Sequence, residues 1–497
     1  MGRQIQPELM AHASGLGVAD ILARYERLER RGLMKPTGDD HFDFSHDLIR
    51  HAVYRGLSGT RRKTIHRQIA LALDAARVRD PRLHGDLVRH ATIAEDRLLT
   101  ARACLAAGEH CLRVFANRQA IAVADQGIAQ LPAIAAGAER IQLTIGLLKL
   151  RVVADASPGT RQGRQVLAAQ LEHAVAAAEA LGLHADAAAG LHILSWMREQ
   201  SNDIERALAT TLEAERATRS LDQATRCQQL ANTGRCLLEV DSDVPLARDL
   251  LDEAARLGAT LNLRFIELDW GLALLARVDG GMDVARDRLG AAVSLARLQE
   301  DRWREYECLV WLAQLALEDR QFDAVCGFCE LVVQASRRMW DTGAPFAEVL
   351  DALARLHRGE PVAAALTAGL AALRDADDKA HLAYALNAAG DLELVAGALD
   401  AARAMSEEAL DLARAVNRPT EMAVATAMLA RVAARTGDVS RVRALLASLD
   451  EAGASGRLNA RALGASMQAE AEGSGMPTLD STVRREYPGR NPNGGEP

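Results

Sequence analysis

The sequence predicts an all-α fold, a right-handed superhelical solenoid of tandem helix hairpins, and three observations predict it. Ala, Leu, Arg, Glu and Asp fill long stretches while aromatic residues make up only 3%. That mixture favours helix at nearly every position and supplies few strand formers. A unit recurs at steps of 38 to 40 residues, the spacing range of solenoids and arrays. Short polar breaks punctuate the apolar pattern at the same steps, as helix ends require.

The first 60 residues carry a different signature. Ile21 to Leu28 is amphipathic and runs through Glu29-Arg30-Arg31-Gly32-Leu33-Met34. A polar turn from Thr37 to Asp40 leads to the alternating His41-Phe42-Asp43-Phe44. Helix, strand, turn and strand in that order form the closing half of a winged helix. The small N-terminal module is therefore expected to be a winged-helix remnant. Ser45 to Tyr54 and Arg61 to Ala70 then begin the helical region.

An alanine marks each repeat: Ala168, Ala207, Ala247, Ala285, Ala324, Ala363 and Ala401. Leu246-Ala247-Arg248-Asp249 aligns with Val284-Ala285-Arg286-Asp287. A break precedes each of the later markers, including Asn202-Asp203, Asp241-Ser242-Asp243, Gly280-Gly281, Asp319-Arg320, Gly359-Glu360 and Gly397, and a further one falls at Gly437-Asp438. Glycine accommodates the left-handed turn that closes one helix, and Asp or Asn caps the next. Pro245 and Pro361 stand where a first helical turn tolerates a missing N–H. The marker methyl is expected where two antiparallel helices cross closely. One hairpin cannot bury its apolar stripe alone, so neighbours stack into a continuous core.

The pattern resembles tetratricopeptide-like repeats in a long variant, without the Trp and Tyr signature positions of the 34-residue consensus. The expected organisation is a partial winged helix over 1–60, a helical junction with irregular repeats over 61–160, and regular repeats over 161–472, about eight hairpins in all. The segment 473–497, rich in Gly, Pro, Asn and Ser, is expected to be disordered.

Phe42-Asp43-Phe44-Ser45-His46-Asp47-Leu48-Ile49-Arg50, followed by Tyr54, Arg62 and His66, resembles the junction of bacterial STAND-type regulatory ATPases. That resemblance covers about residues 5 to 130. In that family a P-loop domain precedes a winged helix and tetratricopeptide-like sensor repeats, in LuxR-type or activator-type transcriptional regulators and in cyclase-fused ATPases. A P-loop needs Gly-Lys-Ser/Thr to cradle phosphates, and none of the four lysines (Lys35, Lys63, Lys149 and Lys379) follows a glycine. The chain thus reads as the downstream half of a longer protein. The resemblance implies no resident cofactor here, with ATP or ADP engaged only in a full-length context and an upstream ATPase domain as one partner.

Ser45-His46-Asp47 is similar to the motif of related STAND proteins whose histidine senses a nucleotide phosphate. His46 would take that role if another chain supplied a nucleotide domain. The structural alternative is that His46 and Asp47 cap a helix and hold the wing. Arg50, Arg55, Arg61, Arg62, Lys63 and Arg67 gather against Asp47 alone in this stretch. Such a patch suits DNA phosphates, a solvated face, or an acidic partner domain. Against chain-wide nucleic-acid binding stand a net charge of −8 and a pI near 6.0.

His84, Asp86, His90, Glu109 and His110 lie in one helical region without HxxxH or HExxH spacing, so no metal site is expected. Cys326-Gly327-Phe328-Cys329 reads as two buried helix cysteines rather than a redox pair. Seven irregularly spaced cysteines suit reduced thiols and a cytoplasmic location. No 18-residue run is free of charge, so no membrane span is expected. No GxSxG elbow or nucleophile–base pairing occurs, so no enzyme is expected.

The function these features predict is a non-catalytic sensor or protein-interaction segment of a signalling regulator. A protein partner or small effector would bind in the concave groove of the repeats. The alternatives are a DNA-binding regulator acting through the winged helix, and the remnant of a P-loop ATPase or nucleotide cyclase.

Overall fold

The computed structural model describes residues 6–37, 41–77, 80–156, 164–219, 221–454 and 459–473. These divide into two compact units, 1–156 with 165–186, and 157–164 with 187–497.

In the first unit, α1 (Pro7–Ser14) and α2 (Val18–Arg30) precede a hairpin of β1 (Met34–Pro36) and β2 (Phe42–Phe44). The antiparallel register pairs Met34 with Phe44 and Pro36 with Phe42. A small core of Ala11, Ile21, Tyr25 and Met34 sits beneath the strands, and the Tyr25 and Phe42 rings lie 4.8 Å apart. The expected turn at 37–40 falls largely outside the described residues. Next come α3 (Asp47–Arg55), α4 (Gly59–Ala76), α5 (His84–Ile93), α6 (Arg97–Arg113), α7 (Asn117–Ile128) and α8 (Ala138–Ala154). Their core includes Leu73, Leu87, Cys104 and Leu147. α9 (Arg164–Ala180) belongs to this unit except for Arg164.

The second unit is built of hairpins. α10 (His184–Glu199), which enters it at Ala187, pairs in chain order with α11 (Ile204–Thr218), and α12 (Gln223–Glu239) with α13 (Val244–Leu261). The pairs α14 (Ile266–Val278) and α15 (Met282–Leu298), then α16 (Arg302–Glu318) and α17 (Phe322–Trp340), follow. After them come α18 (Pro345–His357) with α19 (Ala363–Asp375), and α20 (Lys379–Ala396) with α21 (Leu399–Ala415). α22 (Pro419–Thr436), α23 (Val439–Ala454) and α24 (Ala460–Gly473) complete the unit. It is an all-α solenoid of tetratricopeptide-like hairpins. Of the segment 473–497, where disorder was expected, Gly473 closes α24 and 474–497 lie outside the described residues.

Backbone chemistry explains the regular turns. Every polar break within a hairpin carries a left-handed residue: Asn202, Asp241, Gly280, Arg320, Gly359, Gly397 and Gly437. The connections between hairpins use the same device at Asn262, Glu300, Asp341, Asp377 and Asn417. A left-handed residue reverses the chain in few steps and satisfies the last helical carbonyls. The Asp203 and Asp243 side chains accept the N–H groups of Arg206 and Leu246, capping α11 and α13.

The marker alanines fall one to each odd-numbered helix from α9 to α21. Ala207, Ala247 and Ala285 are buried at the helix crossings. The expectation fails for Ala168, Ala324, Ala363 and Ala401, where the nearby buried positions are Leu171, Val325, Leu366 and Ala402. At Ala324 and Ala401 the slip is one residue, which rotates a side chain by about 100° around a helix, so an alignment good to one residue still misplaces the contact.

Candidate functional site

Four even-numbered helices of the second unit, α12, α14, α16 and α22, bury charged side chains. α14 shows why. Ten of its thirteen residues are buried, among them Glu267, Asp269 and Arg277 as well as Trp270, Leu274 and Leu275. A helix buried on most sides presents some of its polar residues to other helices, and each must find a partner.

The partners come from neighbouring and distant repeats. Arg277 Nε and Nη2 donate to the two oxygens of Glu318 at 2.9 and 2.8 Å. Arg304, 5% exposed, pairs with Glu307 at 2.9 Å and Glu267 at 3.3 Å. Its Nη2 also meets His192 Nε2 at 2.7 Å, joining α16 to α10. Arg235 pairs with Glu239 and lies over the Trp270 ring, 4.4 Å from its centroid. Arg431 bridges Asp391 and Glu472, each at 2.8 Å, and Arg461 pairs with Glu421 while covering the Tyr384 ring.

The inner face is crossed as well as lined. Arg418, just before α22, donates to Glu199 at the end of α10 at 3.0 Å and to the Glu239 carbonyl. Asn202 Nδ2 donates to the Asp377 carbonyl at 3.2 Å. Ile204, Val240 and Val416 form an apolar cluster. The groove expected from the repeat pattern is therefore bridged where the first hairpin meets the turns before α20 and α22.

Burial sets the protonation of this wall. It pushes Glu239 up to about 7, Arg235 opposing and the carboxylates of Glu199 and Glu307 assisting. Burial likewise raises Glu307 and Asp241. At Glu318 burial works in the same direction, but the two-pronged Arg277 contact outweighs it and the net shift is downward. Carboxylates that share too few guanidiniums retain their protons more readily.

The residues singled out from sequence lie in the first unit, around α3 and α4. His46 is the residue before α3; it is exposed and makes no side-chain cap. Arg50 pairs with Asp47 at 3.0 Å. Arg61 is exposed at the start of α4, and Arg62 lies over the Tyr54 ring at 5.6 Å. Lys63 and Arg67 reach Glu95 at 2.5 Å and Asp96 at 2.8 Å. The basic run is thus partly neutralised by acids from the α5–α6 turn, which local sequence counting left out. His66 Nδ1 and His90 Nδ1 are 2.7 Å apart, and Tyr54 Oη lies 3.0 Å from His66 Nε2. His84 and His110 stack at 5.1 Å.

Sequence reasoning missed the charged inner wall. The signal was present as Glu267, Asp269 and Arg277 set among the Ile, Leu, Trp and Ala residues of α14, and as Arg304 and Glu307 beside Trp303 and Cys308 in α16.

No family model matches the chain, and no curated protein matches it in sequence. Solved structures do. A Rap protein complexed with Competence and Sporulation Factor superposes with a TM-score of 0.51 at 12% identity, over 71% of this chain and 98% of that one. Aspartyl phosphate phosphatase F from Bacillus subtilis gives 0.44 at 13%, over 65% and 82%. A Signal Transduction ATPase with Numerous Domains from Pyrococcus horikoshii, with a tetratricopeptide repeat sensor, gives 0.33 at 13%, over 90% of this chain and 60% of that one. The first of these carries the fold assignment: the chain is a tetratricopeptide-like helical repeat protein. Among the described residues no helix is long and apolar enough to cross a membrane.

Proposed function

We propose that this chain is a non-catalytic sensor and protein-interaction protein of a signalling or transcriptional regulator. Its ligand, a partner segment or small effector, engages the inner face of the second unit. One observation carries the reading: the inward wall of α12, α14 and α16 holds arginines, carboxylates and tryptophans where a purely structural helix stack would hold aliphatic residues. Such a wall recognises polar ligands by charge and stacking. The Rap protein of similar fold is complexed with Competence and Sporulation Factor, and by analogy we assign a signalling factor as the ligand class. The resemblance of the Phe42–Arg50 string to STAND regulators supports a regulatory setting, with the β-hairpin module read as the winged-helix remnant.

The test is selection from a displayed peptide and effector library against the whole chain, followed by hydrogen exchange. Protection of α12, α14 and α16, lost in Arg461→Ala and Glu199→Gln, is the expected result. A selected ligand that protects only α3 and α4 would sink the reading, as would substrate turnover by the purified chain without any inner-face ligand.

A further inference from the structure

Three successive hairpins place a carboxylate at the fourth residue of their even helix: Asp269 in α14, Glu305 in α16 and Glu348 in α18. The first two are each clamped by two arginines. Asp269 is held by Arg264 at 3.0 Å and Arg288 at 3.1 Å. Glu305 is held by Arg297 at 2.6 Å and Arg302 at 3.1 Å. Glu348 accepts only the Ala344 N–H, at 3.3 Å, and has no guanidinium partner among the described residues.

The missing arginine is not missing from the sequence. Arg337 is the sixteenth residue of α17, as Arg297 is the sixteenth of α15. Arg297 closes onto Glu305, whereas Arg337 has no ion-pair partner among the described residues. Between Arg337 and Glu348 lies a cleft of about 810 Å³, walled by α17, α18 and α19. The small residues Gly327, Ala365 and Gly369 line it, so little side-chain volume fills the space. Beyond Glu348, Arg355 is already engaged by Glu360 at 2.7 Å and Asp351 at 3.6 Å. The charged groups of the cleft without an opposite charge among the described residues are therefore one guanidinium, Arg337, and two carboxylates, Glu348 and Glu330, the latter accepting only the Gln334 side-chain amide at 3.1 Å.

We propose that the cleft of α17, α18 and α19 binds a small zwitterion, a free amino acid or an unblocked dipeptide, with its carboxylate on Arg337 and its ammonium on Glu348. The ligand restores the ion pair that the equivalent residues of the preceding hairpin make directly. A guanidinium offers a fork to a carboxylate, and an ammonium donates one or two of its three N–H groups to a carboxylate, leaving the rest to solvent. The cysteines of the wall add no charge, because burial pushes Cys326 up to about 11 and Cys329 higher still. The proposal does not depend on a ligand at α12, α14 and α16.

Calorimetric titration of the whole chain with the free amino acids and glycylglycine tests this. Saturable binding is expected for at least one of them, weakened at least about tenfold when its amine is acetylated or its carboxylate amidated. Arg337→Gln and Glu348→Gln should each weaken it by a similar factor. Both side chains are exposed, so neither variant threatens the fold, which circular dichroism verifies. Absence of binding at millimolar concentration overturns the proposal. So does binding that both variants leave intact, or that acetate or an alkylamine reproduces.

Discussion

Arg418 Nη2 donates to Glu199 Oε1 at 3.0 Å across 219 residues of sequence. No local pattern encodes this contact; it exists because the hairpins from α10 to α22 bring their inner faces together. Only a small part of either side chain is exposed, so solvent screens the pair weakly and its loss leaves a carboxylate poorly solvated.

Arg418→Ala should therefore lower the stability of the second unit by about 2 kcal/mol. The urea midpoint reads the loss. Hydrogen exchange in α10 and α22 should accelerate more than in α16, since the contact joins the first two. An unchanged midpoint would mean the bridge does not form in solution.

Glu239 gives the inner wall a pH dependence whose sign is fixed. Its carboxyl is raised to about 7 in the folded chain, chiefly by burial, against about 4.3 unfolded. A raised carboxyl contributes stability below its unfolded value and loses it as pH rises through the folded one. Melting temperature should thus fall between pH 5 and pH 8. Glu239→Gln should melt higher than the parent at pH 8 and near it at pH 5.

The His66–His90 pair works in the opposite direction. Burial lowers both, His90 to about 3, so each is neutral in the folded chain at pH 7. An unfolded histidine protonates near 6.5, and the stability of the first unit should fall as pH drops from 7 to 5. Replacing His90 by Leu should make that slope shallower, measured as melting temperature against pH, with the share of His66 remaining. A parent protein with a flat profile over this range would contradict the buried pair.

Two glycines in helices should respond oppositely to alanine. A Cβ on Gly234 would stand 2.6 Å from Leu251 Cγ and 3.1 Å from the Ala247 carbonyl, in the tight crossing of α12 and α13. Gly234→Ala should cost about 1–3 kcal/mol. A Cβ on Gly290 meets nothing within 4 Å, so Gly290→Ala should stabilise by about 0.5–1 kcal/mol through helix propensity. Chemical denaturation of both variants checks the pair.

Much of this was legible in the residues. Breaks at Asn202, Gly280, Gly359, Gly397 and Gly437 announced the turns, because few residues tolerate the left-handed backbone that a short reversal needs. Glu300, Asp341 and Asp377 make the same turn without a glycine to announce it. The buried faces were less legible: Ala324 and Ala363 missed the crossing by a fraction of a helical turn.

By itself, the sequence determined the all-helical class, the hairpin period and the places where the chain reverses, since propensity, amphipathic spacing and turn chemistry act between near neighbours. Only the tertiary structure decided which charges meet. Lys63 found Glu95, Arg304 found His192, and Arg418 found Glu199, while Arg337 and Glu348 were left facing a cleft. Ion pairs depend on distances in space of a few ångströms, and the small rotation between successive hairpins, accumulated over many repeats, sets those distances.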